Sequence, residues 1–460
     1  MGGTRRDVLS LLLVVALFFV IRLPLYTAPG VILGWNSDSA LIGLMARAMA
    51  ESHDVPPFFV GQHYLGTLTP FLTSLFSSIT PLTLRLVVSF EVLLALLFFW
   101  AAFRRAFGAM PALLATLWLA AGPAFLFQFT AAPLAVEQLL LVAAVLFWCA
   151  TRAHPQWFLV GLLFGFGMWL HQGILFLGAA VAAARWRERR VAAFAAGALL
   201  GYLPAALELL RGDPVLYHRV IPSWSLIHVF DNIVETLRSD LWLLLADASA
   251  FGIATAIALI ALAIFGLRDE PWTPPKIIAV LTIAISAAFW LFSTYPYAGA
   301  VRYIAPVVPF VFVAAAMGVA KLPRAFAVAA ALLITLALFV PRVQQARDIA
   351  AGRSEQYTNW PGGFDPRPTL RVLKSGGYRV CYGEVWVAHK LEWISSPTVR
   401  FVPVRSVHRT LLQSLQLIRD PAPKCFVDND GRVTALTPRD EAIWRESVLR
   451  RAEKAGLLLH

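Results

Sequence analysis

The chain has 460 residues, 59% of them hydrophobic and only 14% charged, with 39 Lys and Arg against 27 Asp and Glu for a net charge of +12. Its mean hydropathy of +0.69 and its bilayer-length apolar blocks exclude a water-soluble globule, a disordered chain and a collagen-like repeat. Three cysteines exclude an extensive disulfide scaffold, and what remains is a multi-spanning membrane protein.

Runs of about 17–20 mostly apolar residues predict the spans. In chain order they are Val8–Tyr26, Leu82–Phe103, Pro111–Phe129, Leu134–Ala150, Val191–Leu210, Ser249–Leu267, Ile277–Phe292, Ile304–Ala320 and Ala325–Val340. Arg5-Arg6 before the first run resembles a signal peptide, but no small-residue cleavage site follows, so the run reads as a retained anchor. Trp157–Ala184 is too long for one crossing, and Trp169-Leu170-His171-Gln172-Gly173 at its middle reads as a tight turn between two short helices. That split gives about eleven crossings. With the N-terminus inside, Arg5, Arg6, Arg104, Arg105, Arg152, Arg185, Arg187, Arg189, Arg190, Arg268, Lys276, Lys321 and Arg324 all fall in cytoplasmic loops. The short outer turns after Phe129 and Leu170 carry no basic residue.

From Pro341 to His460 the apolar blocks stop, and parity places this tail outside too. It holds 19 Lys and Arg against 12 Asp and Glu, a surplus of 7 and more than half of the net charge. These charges are mixed with acids, which fits a soluble face beside anionic lipid rather than a nucleic-acid surface. Tyr378–Val387 and Thr398–Val404 read as strands, and Cys425–Val433 as a hairpin turning at Asp428-Asn429-Asp430-Gly431. Thr437-Pro438-Arg439-Asp440 is a capping-box start for an amphipathic helix to about Leu457. The acidic turn resembles the opening of a calcium loop but lacks the closing Glu, which favours a plain turn. Cys381 and Cys425 suit a disulfide in an oxidising compartment if they meet, which spacing alone does not decide. The expected domains are a transmembrane unit over 1–341 and an extracytoplasmic unit over 342–460.

Polar residues concentrate in the outer loops, above all in Thr27–Pro81. This loop reads Gly34-Trp35-Asn36-Ser37-Asp38-Ser39, then Ala40–Glu51, then Gly61-Gln62-His63-Tyr64-Leu65-Gly66. Leu41, Leu44, Met45, Ala48 and Met49 recur at helical spacing, so Ala40–Ala50 is expected as an amphipathic helix on the membrane. Asp38, just before it, has two readings. It is the helix N-cap, alone or with Ser39, or a carboxylate at the water–bilayer boundary that takes a proton from a hydroxyl held against a lipid-borne group.

Three further places carry polar groups that need a reason. Glu137 opens a span, where a central acid costs about 2.5–3.5 kcal/mol and an interfacial one less; a structural partner and a substrate contact both answer that cost. His171-Gln172 sits at an outer turn, where a lone His is more often a hydrogen-bonded structural residue. Tyr295–Phe310 puts Arg302 and Tyr303 at the outer mouth of a span, either as interfacial anchors or, for the planar guanidinium, as a phosphate clamp. Arg47, Arg219 and Arg238 fit lipid headgroups in the same two ways, and the Arg211–Asp240 loop with Tyr217-His218-Arg219 and Trp224 is long enough to cover a lipid groove.

Together, the acid in the first outer loop, an interfacial helix, Gly61-Gln62-His63-Tyr64-Leu65-Gly66 and the later Arg302-Tyr303-Ile304-Ala305-Pro306-Val307-Val308-Pro309 resemble the GT-C class glycosyltransferases. The chain is similar over roughly residues 1–340 to dolichyl-phosphate-mannose–protein mannosyltransferases (glycosyltransferase family 39) and to lipid A aminoarabinose transferases. The resemblance implies an all-α polytopic membrane domain of the GT-C type, with about 11 transmembrane helices and interfacial helices in the first outer loop, then a small C-terminal α/β soluble domain. It implies an inverting transfer of a sugar from a polyprenyl phosphate to an acceptor hydroxyl on a lipid, glycan or protein, at the outer face of a bacterial-type cytoplasmic membrane.

Carried over residue by residue, it makes Asp38 the general base. Arg302 and Tyr303 would stand near the departing phosphate, with His63 beside them, and Gln62 and Tyr64 would contact sugar or phosphate. Glu137 and His171 are candidate substrate contacts. Asn36 departs from the pattern, because many relatives pair two acids here, which weakens a metal site on this loop alone; no His-x-x-x-His spacing occurs, no particular cofactor is implied, and a divalent metal is compatible with the resemblance. No Gly-x-x-x-x-Gly-Lys-Ser/Thr phosphate loop occurs, as a lipid-borne donor would allow.

A transporter or lipid flippase is the competing class. It predicts internal repeats and charges within several spans, whereas Glu91 is the main such charge and the two halves show no repeat. A membrane-anchored sensory or assembly protein would leave Asp38 and Arg302 dispensable.

Overall fold

The computed structural model describes residues 2–28, 35, 37–59, 62–134, 137–186, 190–210, 225–269, 271–292, 300–353, 364–395, 398–403 and 411–454. Helices dominate the first part: α1 (Gly2–Thr27), α2 (Ser37–Ser52), then the two-stranded β1 (Phe58–Phe59) and β2 (Gln62–Gly66), α3 (Leu68–Ser74), α4 (Pro81–Phe107), α5 (Ala109–Ala121), α6 (Ala124–Ala131) and α7 (Glu137–Ala150). There follow α8 (Trp157–Leu170), α9 (Ile174–Arg185), α10 (Val191–Gly201), α11 (Leu203–Leu210), α12 (Leu226–Glu235), α13 (Leu241–Leu245), α14 (Ala250–Leu267), α15 (Pro274–Phe292), a 3-10 helix Ala300–Val307, α16 (Val308–Ala320) and α17 (Arg324–Ala350).

Five of these helices are long and apolar enough to cross a bilayer, or six if α5 and α6 form one bent span. The sequence predicts about eleven crossings. The difference lies in length: α7 to α10 are apolar but run only 11–14 residues, about 17–21 Å at 1.5 Å per residue against a core of about 30 Å. Trp157–Ala184 divides at 171–173, as its length suggests. Val191–Leu210, expected as one span, breaks at Tyr202 into α10 and α11, since Pro204 has no N–H to continue the ladder. Glycines at four-residue spacing bring α8 and α10 into backbone contact. A methyl at Gly161, Gly165, Gly197 or Gly201 would collide with a carbonyl of the facing helix.

The break between α5 and α6 explains a buried cation that the span pattern hides. Gly122 takes φ +82 and Pro123 follows, bending the pair by 55°. Ala124 N, freed from α5, donates instead to Ala246 O at 2.7 Å. Arg22, fully buried in α1, fills the gap: its Nη1 donates to Ala120 O at 3.0 Å and its Nε to Thr130 Oγ1 at 2.9 Å. Its guanidinium also lies 3.9 Å from the centre of the Phe18 ring.

Helix α17 does not stop at Pro341 but continues to Ala350, and just past the proline Arg342 makes a buried 2.7 Å ion pair with Asp247. The tail then forms α18 (Pro366–Ser375), β3 (Val380–Gly383), α19 (Val385–Ser395), β4 (Arg400–Pro403), α20 (Leu411–Leu417), β5 (Lys424–Val427), β6 (Val433–Ala435) and α21 (Pro438–Lys454). Its sheet runs β4-β3-β5-β6, with β3 parallel to β4 and β5, and β6 antiparallel. Cys381, Phe401, Cys425 and Val427 pack on one face with Leu373 and Leu391; Val380, Tyr382 and Val402 pack on the other with Ile418 and Val448.

Cys381 stands opposite Cys425 in the parallel register, 4.5 Å apart at Cα, and the two form a disulfide. The strand expected over Tyr378–Val387 is strand only over Val380–Gly383, because the chain leaves the sheet there and α19 begins at Val385. The acidic loop is a plain turn: Asp428 Oδ1 accepts from Asp430 N and Arg432 N, and Gly431 takes φ +81. Thr437 and Asp440 make the reciprocal bonds that start α21.

Lys390 of α19 is buried and donates to Phe364 O at 2.8 Å. Burial pushes its ammonium down to about 7, partly opposed by the nearby Asp365 charge. The unfolded chain therefore binds more protons than the folded one between about pH 7 and the ordinary lysine range, and stability gains with pH across that window. The thermal midpoint of the wild type is expected to rise from pH 7 to 9 relative to that of Lys390→Met. Parallel curves for the two proteins would refute a depressed ammonium.

Candidate active site

Asp38 lies inside the first turn of α2, where Ser37 is the first helical residue. Neither Asp38 nor Ser39 is therefore the cap, and the acid sits where the helix dipole favours it. Its residue is only 7% exposed. Helix α2 packs between α3 and α19 of the tail. Ala40, Leu41, Ile42, Met45 and Met49 are all buried, because the tail covers the face that the sequence pattern leaves open. Arg47 joins this interface rather than standing free for lipid, donating to Trp393 O at 2.9 Å and Ile79 O at 3.3 Å.

Both ends of the first loop are fastened to the α6–α7 connection. At the front, Trp35 is fully buried and its Nε1 donates to Ala131 O at 2.7 Å. The Arg85 guanidinium, held by Leu25 O at 2.9 Å, lies 5.4 Å from the Trp35 ring centre. At the back, fully buried Gln138 donates through Nε2 to Gly66 O at 3.0 Å and to Leu170 O at 3.5 Å, while its Oε1 accepts from Thr69 N at 3.4 Å. Leu65 pairs with His171 across an isolated antiparallel bridge. One amide side chain thus joins β2, the start of α7 and the α8–α9 turn.

Behind Gln138 lie two buried carboxylates. Glu91 accepts from Thr69 Oγ1 through both oxygens, at 3.2 and 3.0 Å, and lies within electrostatic reach of Glu137. Glu137 Oε2 accepts from Leu134 N at 3.4 Å, so the span-opening acid has a structural partner in its own turn. His171 is 5% exposed and its Nδ1 accepts from Gly173 N at 2.9 Å, closing the α8–α9 turn.

The structure places Gln62, His63 and Tyr64 on β2, and Arg302 and Tyr303 on the 3-10 helix that packs against α7 and α13. The side chains of all five lie outside the described residues. So do Asn36, Tyr217, His218, Arg219 and Trp224. Arg238 is on an exposed π-helical turn, Thr236–Asp240. Among the described residues no three His, Cys, Asp or Glu side chains gather as a metal site requires.

Sequence reading missed Trp35, Arg85, Gln138 and Trp393. Gln138 left a signal, a second polar residue beside Glu137 in an otherwise apolar run. Trp393 left none, because nothing in the tail marks which of its faces meets the first loop.

No protein-family model and no curated protein matches the chain. Solved structures do. The crystal structure of ArnT from Cupriavidus metallidurans bound to undecaprenyl phosphate superposes with a TM-score of 0.66 at 15% identity, covering 92% of this chain and 93% of that one. Its apo state gives 0.64 at 14%, covering 93% of each. An Archaeoglobus fulgidus oligosaccharyltransferase in complex with Zn and sulfate gives 0.52 at 14%, over 86% of this chain and 62% of that one. The chain therefore has the fold of these proteins, a multi-pass helical membrane unit with a small strand-containing C-terminal region.

Proposed function

We propose that the protein is an integral membrane glycosyltransferase of the GT-C type, moving a sugar with inversion from a polyprenyl phosphate to an acceptor hydroxyl. The observation that carries this reading is the buried Asp38 at the start of α2, between a Trp35 and a β2 both tied to the α6–α7 connection, on a fold shared with a protein that binds undecaprenyl phosphate. The Asp38 carboxylate takes the acceptor's proton as the hydroxyl oxygen bonds to the anomeric carbon, and the bond from that carbon to the phosphate oxygen breaks. Arg302 and Tyr303, with His63, receive the departing phosphate, and Gln62 and Tyr64 border sugar or phosphate. His171, nearly enclosed, acts by holding β2 in place through Leu65, and buried Glu137 by closing the turn that opens α7.

Counting the five long helices, the bent pair and five shorter apolar helices as crossings gives eleven. An odd number puts the two termini on opposite sides, and the basic loops support a cytoplasmic N-terminus with the tail outside, where nucleotide sugars are absent and a lipid-borne donor is required. A divalent metal remains compatible with the site. The test uses the full chain in lipid nanodiscs with a panel of labelled polyprenyl-phosphate sugars and extracted envelope acceptors. Transfer with release of polyprenyl phosphate and inverted configuration is the expected result. Retained configuration, or no transfer together with no binding of undecaprenyl phosphate, would overturn the proposal.

A further inference from the structure

The tail domain packs α19 against the proposed catalytic helix, and one aromatic stack fixes the chain just ahead of that helix. Trp393, near the end of α19, lies parallel to Trp35 with ring centres 4.8 Å apart and planes inclined by 7°. Both residues are fully or almost fully buried. The Trp393 edge sits against Gly43 of α2 so closely that a methyl there would overlap Cε2, Nε1 and Cζ2 of the indole. Among the described residues the Trp393 Nε1 has no hydrogen-bond partner, so the ring is held by its faces and edge alone. Trp35 is thereby gripped on three sides: Trp393 on one face, the Arg85 guanidinium in cation–π range, and Ala131 O at its Nε1. Arg47 ties α2 to the Trp393 carbonyl itself.

We infer that Trp393 is a positioning residue for the transfer reaction. Through Trp35, three positions ahead of Asp38, the extracytoplasmic domain sets where the carboxylate stands, so the tail is part of the catalytic unit rather than an appended module. This rests on the reading of Asp38 as base. A base must stand within hydrogen-bond reach of its proton, and a misplacement of about 1 Å costs on the order of a hundredfold in rate. Opposite the stack, the Cys381–Cys425 disulfide joins β3, which leads into α19, to the neighbouring β5 and stiffens the base from which Trp393 projects.

The test compares the full-length wild type with Trp393→Ala, Trp393→Phe and Trp444→Ala in nanodiscs. Trp444 stacks on Phe426, on the other face of the tail sheet, so its loss loosens the tail without touching the Trp35 stack. Hydrogen exchange over residues 35–45 is read beside transfer kinetics. Trp393→Ala is expected to speed exchange in that segment by about tenfold or more, and to lower kcat by about tenfold to a hundredfold with donor KM within about threefold. Trp393→Phe, which restores an aromatic face, should return both most of the way, and Trp444→Ala should leave exchange at 35–45 near wild type.

Unchanged exchange at 35–45 in Trp393→Ala, or an equal rise in Trp444→Ala, would overturn the positioning role whatever the rates. Faster exchange in Trp393→Ala with full transfer by Asp38→Asn would keep Trp393 as the clamp of α2 and sink the catalytic reading of Asp38 instead.

Discussion

Asp38→Asn is expected to lower kcat for sugar transfer by about 10²–10⁴-fold, the range for a lost general base, while the thermal midpoint and the KM for the lipid donor stay close to wild type. The substitution is nearly isosteric and keeps a polar group in the first turn of α2, so packing around the 7% exposed residue is preserved. Magnitudes separate the two roles open to this acid. For an acid as buried as Asp38 a helix-dipole interaction is worth at most about 2 kcal/mol, about a thirtyfold change in an equilibrium. A hundredfold fall in rate needs about 2.7 kcal/mol of transition-state stabilisation, more than a lost dipole contact supplies. Kinetics of purified wild type and Asp38→Asn, matched for folded fraction, decide between them, and equal rates would leave Asp38 a structural acid of the first turn.

The sequence was informative where one physical constraint dominates. Bilayer thickness and the positions of Arg and Lys marked most apolar helices, and the histidine-capped turn at His171-Gln172-Gly173 was legible too, whereas the bend at Gly122-Pro123 falls inside Pro111–Phe129, which reads as one span. Spacing also marked the α21 capping box and the turn at Asp428, since both are satisfied within a few residues. Crossing lengths were less legible, because α10 ends where Pro204 and the tertiary environment dictate, inside a run that is apolar throughout.

The proposed site has its chemistry from the sequence, whereas its scaffold was not legible there. Asp38 stands out as an acid before an apolar periodic stretch, but the same periodicity, read alone, sends α2 to a membrane surface. Whether lipid or protein covers an apolar face is a long-range fact, carried here by Trp393, 350 positions after Gly43, which it touches. Arg22 shows the same limit. As a charge inside a span it looks costly, and its long-range partners, the Ala120 carbonyl left open by a distant helix break and the Thr130 hydroxyl, are not marked by the sequence around it.

Gln138→Leu is expected to act on donor binding rather than on the chemical step. The replacement is similar in volume and suits an apolar helix, so α7 itself should form. What is lost is the link among three chain segments: Gly66 O and Thr69 N lose their partner on a buried wall, and Leu170 O loses a longer contact. An orphaned buried group costs about 1–3 kcal/mol. The strain is relieved most cheaply by letting β2 move, because β2 is a short strand held by the two residues of β1 and the single Leu65–His171 bridge. Since β2 carries Gln62, His63 and Tyr64, its displacement should raise the donor KM by about tenfold or more, with kcat reduced by less than about threefold. Asp38→Asn should give the reverse split. Steady-state kinetics on the two variants therefore test whether the first loop divides its work, with the start of α2 performing the proton transfer and the strand behind it holding the lipid-borne sugar. A fall in kcat at constant KM for Gln138→Leu would mean that β2 orients the reacting groups rather than binding the donor, and unchanged constants would remove β2 from the site.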